Sequence, residues 1–519
     1  MRTGRALASA AGLVAGLTLL SRVFGLVRKL AQSWALSDSP IATAYDTANT
    51  VPNVLFEVAA GGALAGAVIP ILSRFLKVGD KRLAAQAAGA LMTWILSAGM
   101  ALALVVSVAA SPIVSILLAD TTPEMRNLAA LLLRIFAAQI PLYGLSVVAT
   151  GILHSHGHFF WPALSPLLSS VSVAAMFLWY STWVEPFADP AALTLAEVAL
   201  LGGGTTLGVV VLFAIPQLLI ASRFVRLRPT FTFPPGVGAL TLRLGAAGLA
   251  TLAAQQVAII AIMIVANSAG DVGTYAAFNY AYAIFMVPYA VLAVPIATVT
   301  FPRISAATGQ ARTHVVAQST RLVLAMGMVS AALLIVLASP AKIVLEVGRD
   351  IAGLETAMQA MAIGSVGMSL LYHGVRVLYG CGQARRVIAA NSFGWGTVVG
   401  GLVVSALLGI SGRISTLMAV GISISVGLSV GAVAVLVMMF RSLGPQSVAG
   451  IARTGVTLLP VLVAAGLAAR FLVGWILDAG GSTILAAIGA AVVGGVVVIG
   501  AAGAALYAAD RQAFASLSR

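Results

Sequence analysis

The chain has 519 residues, of which 60% are hydrophobic and only 8% are charged, and its net charge is +14. Soluble globular domains carry about 25% charged residues and disordered chains are far more polar, so this composition excludes both classes. It predicts an all-α polytopic membrane protein. The basic residues are scattered and form no nucleic-acid footprint, and the single Cys381 excludes an intramolecular disulfide.

Fourteen apolar segments of the sequence are long enough to cross a membrane, which takes roughly 20 residues per helix. In chain order they lie near residues 10–36, 42–72, 83–109, 126–153, 160–183, 194–222, 240–267, 273–301, 313–339, 355–380, 386–410, 415–441, 453–477 and 482–507. The start of the chain also has features of a signal peptide. We expect it to be the first span, because it continues directly into a further apolar stretch and its removal would leave an odd number of spans.

The loops between these segments differ in charge, and this difference predicts the orientation of the chain. Basic residues concentrate in alternate loops, such as 74–82 and 223–228, whereas the opposite loops carry mostly acidic residues. Lys and Arg are enriched in the cytoplasmic loops of membrane proteins. Together with the even number of spans, this pattern predicts a multi-pass protein with both termini in the cytoplasm.

Two pairs of segments resemble each other at similar separations along the chain. GILHSHGHFFWPALSP at 151–166 resembles RVLYGCGQARRVIAAN at 376–391, and IPILS at 69–73 resembles FPRIS at 301–305. In the first pair, a span end is followed by a Gly-centred turn and the start of the next span. The separation covers six spans, so paired segments keep the same orientation, as in a parallel repeat.

This repeat predicts the domain organisation. We expect two six-helix lobes, residues 1–228 and 229–445, related by a pseudo-twofold axis along the membrane normal. Residues 446–519 then form two further C-terminal helices and a cytoplasmic tail.

The first two predicted spans carry an unusual number of polar residues. Arg22, Arg28 and Lys29 lie in the first span, where a charged side chain facing lipid would cost roughly 2.5–3.5 kcal/mol. The second span carries a polar stripe that its spacing places on one helical face: Asp46, Asn49, Asn53 and Glu57. Interhelical ion pairs and amide hydrogen bonds are one interpretation, but this much polarity on adjacent spans favours a wet, cationic cavity.

The rest of the sequence points to transport. The tenth predicted span ends with His373 and Arg376, which we expect to line an inner vestibule. The sequence contains no recognised catalytic, ATP-binding or metal-binding motif. We therefore expect a transporter and not an enzyme, with no cofactor, driven by a gradient or by the membrane potential. Asp46 and Glu57 are candidates to bind a coupling ion, whose identity stays open.

Five segments carry a resemblance to a known family. The most specific is SRVFGLVRKL at 21–30, followed by VPNVLFEVAAGGALAGAVIPILSRF at 51–75. Weaker matches are GILHSHGHFFWPALSP at 151–166, VPYAVLAVPIATVTFPRIS at 287–305 and RVLYGCGQARR at 376–386. These segments resemble the MurJ (MviN) family of lipid II flippases, within the multidrug/oligosaccharidyl-lipid/polysaccharide exporter superfamily, and the resemblance covers spans 1 to 12.

The resemblance implies a bacterial plasma-membrane protein that moves the lipid II headgroup from the cytoplasmic to the outer leaflet by alternating access. It thereby implies a role in peptidoglycan synthesis, in cell-wall biogenesis and in maintaining cell shape. It implies a cationic cavity between the lobes and a groove by spans 13 and 14 for the polyprenyl tail. Arg22 and Arg28 match the two family arginines of the first span, and Arg28 would contact the diphosphate. The implied partners are a polyprenyl-diphosphate-linked lipid, membrane lipids and the cell-wall synthesis machinery.

The sequence also departs from the family pattern at four positions. Lys29 replaces the acidic residue that commonly follows the second arginine, and Phe56 replaces the arginine after the PN pair. An eighth-span arginine falls on Ala283, and an acidic residue ahead of the second span's core falls on Thr43. An arginine triad for the diphosphate therefore does not carry over, and we hypothesise that Lys29, Arg376 or another cation replaces it.

Three alternative functions stay open at this point. The departures touch the implied headgroup site, so the sequence is also compatible with a flippase for another polyprenyl-linked glycan. A cation-coupled drug exporter of the same superfamily is a second alternative, although its site should be more acidic than this first span. A membrane scaffold without transport activity is the third.

Overall fold

The protein is built from α-helices. The computed structural model describes residues 2–58, 65–209, 214–346, 349–481 and 483–509, and within these ranges no β-strand occurs. The first twelve helices are α1 (Arg2–Leu36), α2 (Pro40–Glu57), α3 (Ala65–Val78), α4 (Lys81–Val108), α5 (Ala110–Leu117), α6 (Pro123–Ala137), α7 (Gln139–Ser155), α8 (Phe160–Tyr180), α9 (Leu195–Val198), α10 (Gly204–Val209), α11 (Ile215–Phe224) and α12 (Val237–Ser268). The other ten are α13 (Thr274–Pro288), α14 (Val294–Ala306), α15 (Gly309–Val336), α16 (Ala338–Glu346), α17 (Leu354–Met361), α18 (Gly364–Gly380), α19 (Ala384–Leu407), α20 (Arg413–Leu443), α21 (Ile451–Gly480) and α22 (Ile484–Ala509).

Many of these helices are membrane spans. In the described part of the chain, ten helical segments are long and apolar enough to cross a membrane, or eleven if the bent pair α17–α18 is one span. The three other predicted spans coincide with α1, with α2 and α3, and with α9 to α11. The last two of these include residues 59–64 and 210–213, which lie outside the described residues. The all-α polytopic membrane fold is confirmed, and the count of fourteen spans stays a prediction.

The chain divides into two compact units, Met1–Gln256 and Val257–Arg519. The boundary falls inside α12, and α21 and α22 pack against α15 in the second unit. The sequence had placed the lobe boundary at 228 and set the C-terminal helices apart from 446 onward. That three-part division stays a prediction, and the expected tail at 510–519 lies outside the described residues.

Corresponding helices are interrupted in both units. In the first unit, α4 gives way to α5 at Ala109, and α6 gives way to α7 at Ala138. In the second, α15 gives way to α16 at Leu337, and α17 gives way to α18 at Ile363, with a 47° bend between the last two. The paired breaks are separated by roughly 230 residues, as are the repeated sequence segments, which is the signature of an internal structural repeat.

The predicted Gly-centred turns are confirmed in both units. Gly157 follows α7 with φ +76°, and Gly382 follows α18 with φ +72°. The residue after each glycine donates its backbone N–H to the carbonyl five residues earlier, at 2.9 Å in both turns. This is a helix-terminating motif that needs a left-handed residue, and glycine adopts that conformation without steric cost.

Each unit has an apolar core of its own. In the first unit the core lies among α3, α4, α7 and α11, and in the second it lies among α15, α21 and α22. Lipid gives little hydrophobic drive for helix association, so close van der Waals packing of the helices holds each core together. Val68, Leu72 and Ile152 of the first unit and Val498 of the second are fully buried.

A charged cluster outside the membrane-spanning segments ties α16 to the loop that follows it. Lys342 Nζ lies 2.9 Å from Asp350 Oδ1 and 3.6 Å from Glu346 Oε1. The same Glu346 oxygen accepts the backbone N–H of Ile351 at 2.8 Å. Burial raises the pKa of Glu346 to about 7, outweighing the backbone hydrogen bond and the nearby ammonium, which lower it. The hydrogen bond from Lys342 holds the pKa of Asp350 below its ordinary value.

The Glu346 carboxyl should make the stability of the protein depend on pH. Between its ordinary pKa of 4.5 and about 7, the unfolded chain is ionised at this position while the folded protein keeps the proton. The free energy of unfolding therefore falls as the pH rises through this window, by on the order of 2 kcal/mol. We expect a lower melting temperature in detergent at pH 8 than at pH 5, and a smaller difference in Glu346→Gln. Asp350→Asn should also reduce the difference in part, because Asp350 helps to raise the pKa of Glu346. An unchanged pH profile in Glu346→Gln would assign the effect to another group.

Candidate functional site

The two arginines of α1 that the sequence places in the site have different surroundings. Arg22 is exposed and Arg28 is half-buried. The guanidinium of Arg22 interacts electrostatically with the Glu57 carboxylate. The guanidinium of Arg28 interacts electrostatically with the ammonium of Lys29 and with the phenol of Tyr143. Among the described residues Arg28 forms no ion pair with a carboxylate. Its charge is therefore not neutralised by a carboxylate in the described part of the first unit.

Lys29, by contrast, pairs with α2. Its Nζ lies 3.5 Å from Asp46 Oδ1 and donates to Gln32 Oε1 at 2.9 Å. The Gln32 amide donates to the same Asp46 oxygen at 2.9 Å. Asp46 is only 3% exposed, and within the described ranges its other oxygen, Oδ2, has no hydrogen-bond partner. Lys29 can add positive charge to a headgroup site only by leaving Asp46.

The polar stripe of α2 runs from the interior of the first unit to its surface. Asp46 is buried, Asn49 and Asn53 are half-buried and Glu57 is exposed. The Tyr143 hydroxyl of α7 lies 3.3 Å from Asn53 Oδ1. The stripe therefore joins the Lys29–Asp46 pair at one end to half-exposed amides and an exposed carboxylate at the other, as a hydrated path requires.

The two site residues predicted in the second unit also have different surroundings. Arg376 donates from Nη1 to Thr298 Oγ1 at 2.6 Å, and it bonds the hydroxyl of Tyr372, whose ring centroid lies 4.3 Å from Cζ. His373 is 1% exposed, with Nε2 at 3.2 Å from Ser319 Oγ. His373 is thus packed inside the unit between α15 and α18, whereas Arg376 is half-buried and held by neutral groups. Their role in a vestibule stays a prediction.

Sequence reasoning missed Gln32, Tyr143 and the contact at Phe56. Gln32 lies three residues after Lys29, so helical spacing could have placed the two side chains on one face. Tyr143 is brought to α2 only by the packing of α7, and its ring lies 4.3 Å from that of Phe56 between centroids. Where the family pattern has an arginine, this chain therefore has an aromatic contact. In the described part of the chain, no group of three His, Cys, Asp or Glu side chains could hold a metal ion.

Comparison with known proteins decides the family. The family model described as "Lipid II flippase MurJ" matches residues 33–488. The chain belongs to the MurJ family. The match includes both repeated Gly-centred turns, whereas the first-span motif at 21–30 precedes it. The chain is accordingly a multi-pass protein of the bacterial membrane.

Curated MurJ relatives match only part of the chain. A probable lipid II flippase MurJ of Synechocystis sp. is 30% identical over 245 residues, which are 45% of this chain and 44% of that protein. The lipid II flippase MurJ of Burkholderia cenocepacia is 31% identical over 193 residues, 37% of this chain and 36% of that protein. The alignments thus span less than half the length of these relatives.

Solved structures of a MurJ protein and of a MATE transporter share the fold. A lipid II flippase MurJ in an inward closed conformation has a TM-score of 0.73 at 18% identity, covering 98% of this chain and all of that one. An inward-facing MATE-family multidrug resistance transporter of the MOP superfamily has a TM-score of 0.66 at 16% identity, covering 84% of this chain and 98% of that one. At these identities the likeness shows the fold alone.

Proposed function

We propose that this MurJ-family protein is a lipid II flippase, which moves the diphosphate-linked headgroup from the cytoplasmic to the outer leaflet by alternating access. Membership of the family, with a match over residues 33–488, carries the proposal. The arginines of α1 support it. A transporter of this kind catalyses no covalent reaction.

The physical task explains why cations are needed inside the membrane. An isolated charge in hydrocarbon costs tens of kcal/mol, so a diphosphate headgroup needs a hydrated path with compensating positive charge. Guanidinium groups suit this task, because they remain charged and bind phosphate oxygens with two parallel hydrogen bonds. Arg28 is the first candidate, since it is accessible and has no carboxylate partner among the described residues. Arg22, which is exposed near Glu57, is the second.

Lys29 and Arg376 are proposed to replace the arginines that the family pattern places at Phe56 and Ala283. Arg376 is held by Thr298 and Tyr372, which leave its charge uncompensated. Lys29 contributes in exchange for its contact with Asp46, as argued below. The polar stripe Asp46, Asn49, Asn53 and Glu57 would supply the hydrated wall of the path.

The expected orientation fits outward movement of an anion. With both termini in the cytoplasm, the basic loops face the side where lipid II is made. An inside-negative potential favours export of negative charge by about 2.3 kcal/mol per charge per 100 mV. The lipid-linked substrate and the membrane lipids are then the direct partners, and we expect the cell-wall synthesis machinery to consume the product.

A complementation assay tests the proposal. The gene is expressed in bacteria depleted of their own lipid II flippase, and lipid II accessible at the outer leaflet is measured. We expect restored growth, normal cell shape and outward-facing lipid II. Failure to rescue, with lipid II retained inside although the protein is present in the membrane, would contradict the proposal. The departures at Phe56 and Ala283 would then favour a different polyprenyl-linked glycan as substrate.

A further inference from the structure

Asp46 has one satisfied and one unsatisfied oxygen. Oδ1 receives both Lys29 and Gln32, whereas Oδ2 is buried without a hydrogen-bond partner in the described part of the chain. A buried polar atom without a partner is costly and needs an explanation. The simplest explanation is that Oδ2 is occupied in another state of the transport cycle.

The surroundings of Asp46 restrict what that occupant can be. Among the described residues, Lys29 of α1 pairs with Asp46 and Tyr45 of α2 interacts with it electrostatically, and Arg28 of α1 interacts with both of these groups. The buried residues of α5 and α6, which pack against α2, are all apolar. A metal cation would need several further oxygen ligands and would be repelled by the two basic groups. A proton needs only the vacant oxygen.

We propose that Asp46 is a proton-binding site whose occupancy alternates with that of Lys29. In the state described here, the Lys29 ammonium balances the Asp46 carboxylate. When Lys29 turns to an anionic headgroup, Asp46 is left buried and without its counter-ion, and it takes a proton from water onto Oδ2. Transfer of Lys29 back to Asp46 releases both the headgroup and the proton.

This exchange, which rests on the proposed flippase function, explains two features of the site. It gives a role to a lysine where the family pattern has an acidic residue, and it keeps the charge of the α1–α2 contact balanced in both states. Headgroup binding favours the state in which Asp46 is protonated, and protonation of Asp46 favours the state in which Lys29 binds the headgroup. Each binding event therefore promotes the other. The protein would then take up one proton for each headgroup bound.

The test is the pH dependence of binding by the full-length protein in detergent, with purified lipid II as the probe. For the wild type, we expect the Kd to decrease by up to tenfold for each pH unit as the pH is lowered from 8.5 to 6. Binding should also take up one proton per lipid II molecule, which an indicator dye in weak buffer measures. Lys29→Met/Asp46→Asn removes both members of the buried pair, so that neither is left as an uncompensated titrating group, and it should bind with a flat pH profile and without proton uptake. Asp80→Asn is the matched control, because Asp80 caps α4 away from this cluster and asparagine caps equally well; it should titrate like the wild type.

The outcomes separate the two proposals. Binding by the wild type without proton uptake, or the same pH slope in Lys29→Met/Asp46→Asn, would overturn the proton site and leave the flippase proposal intact. No binding of lipid II by a monodisperse wild-type protein would overturn both. If the double variant is not monodisperse, Lys29→Met replaces it. The proposal expects Asp46 in this variant, which never has its counter-ion, to hold the proton before the headgroup binds. Binding without proton uptake therefore supports the site, and unchanged uptake overturns it.

Discussion

Arg28→Ala should abolish rescue of bacteria depleted of their lipid II flippase and weaken lipid II binding roughly 10- to 100-fold. A hydrogen bond to a charged group contributes about 1.5–3 kcal/mol, and each 1.4 kcal/mol is a tenfold change in affinity. Arg28 is half-buried, and no carboxylate among the described residues compensates its charge. Its loss should therefore reduce ligand binding more than folding. The measurements are growth of the depleted strain, outer-leaflet lipid II and the Kd of the purified variant.

Two further variants make this result specific. Arg28→Lys keeps the charge but loses the two-pronged geometry, so we expect partial activity. Arg126→Ala removes a half-buried arginine of the same unit that bonds only the Ala119 carbonyl among its described contacts, and it should behave like the wild type. Full rescue by Arg28→Ala at normal membrane levels would show that Arg28 does not bind the headgroup.

Gly367→Ala should destabilise the second unit by about 1–3 kcal/mol or more, the usual cost of overpacking a filled interface. A Cβ at Gly367 would lie 2.5 Å from the carbonyl carbon of Leu428 and 2.7 Å from its oxygen. These are backbone atoms of α20, so no side-chain rotation can make room. The helices α18 and α20 would have to separate, and the packing they share in lipid depends on close approach. We expect a lower melting temperature in detergent and less protein in the membrane.

Gly400→Ala is the matched control for this prediction. Gly400 also lies in a membrane helix of the second unit, on α19, but a Cβ there meets nothing within 4 Å. Its melting temperature should be unchanged or slightly higher, because alanine favours helix more than glycine does. Equal melting temperatures for both variants would mean that α18 and α20 are not as tightly packed as described.

The superfamily comparison bears on the alternatives left open by the sequence. The shared fold extends to a MATE transporter, so fold alone does not distinguish a flippase from a drug exporter. What distinguishes them is the site, and in this chain α1 carries two arginines without a carboxylate ion pair among the described residues. The binding assays above measure that difference directly.

Much of the architecture could be predicted from the sequence, because the signals are local. The apolar segments gave the helices, since a span requires a continuous apolar run whatever its neighbours are. The Gly-centred turns at Gly157 and Gly382 were recognised because helix termination depends on a few adjacent residues. The positions of Arg22 and Arg28 on α1 followed in the same way, from helical spacing within one segment.

The partners of those residues were decided by tertiary structure alone. Lys29 was predicted to add charge to a headgroup site, yet its ammonium is paired with Asp46 on the next helix. Phe56 marked a lost arginine in the sequence, and only the packing of α7 shows that Tyr143 covers it. Helical periodicity fixes which face a side chain occupies but not which helix that face meets. Contacts between helices depend on how whole segments pack, and no local pattern in the chain encodes that choice.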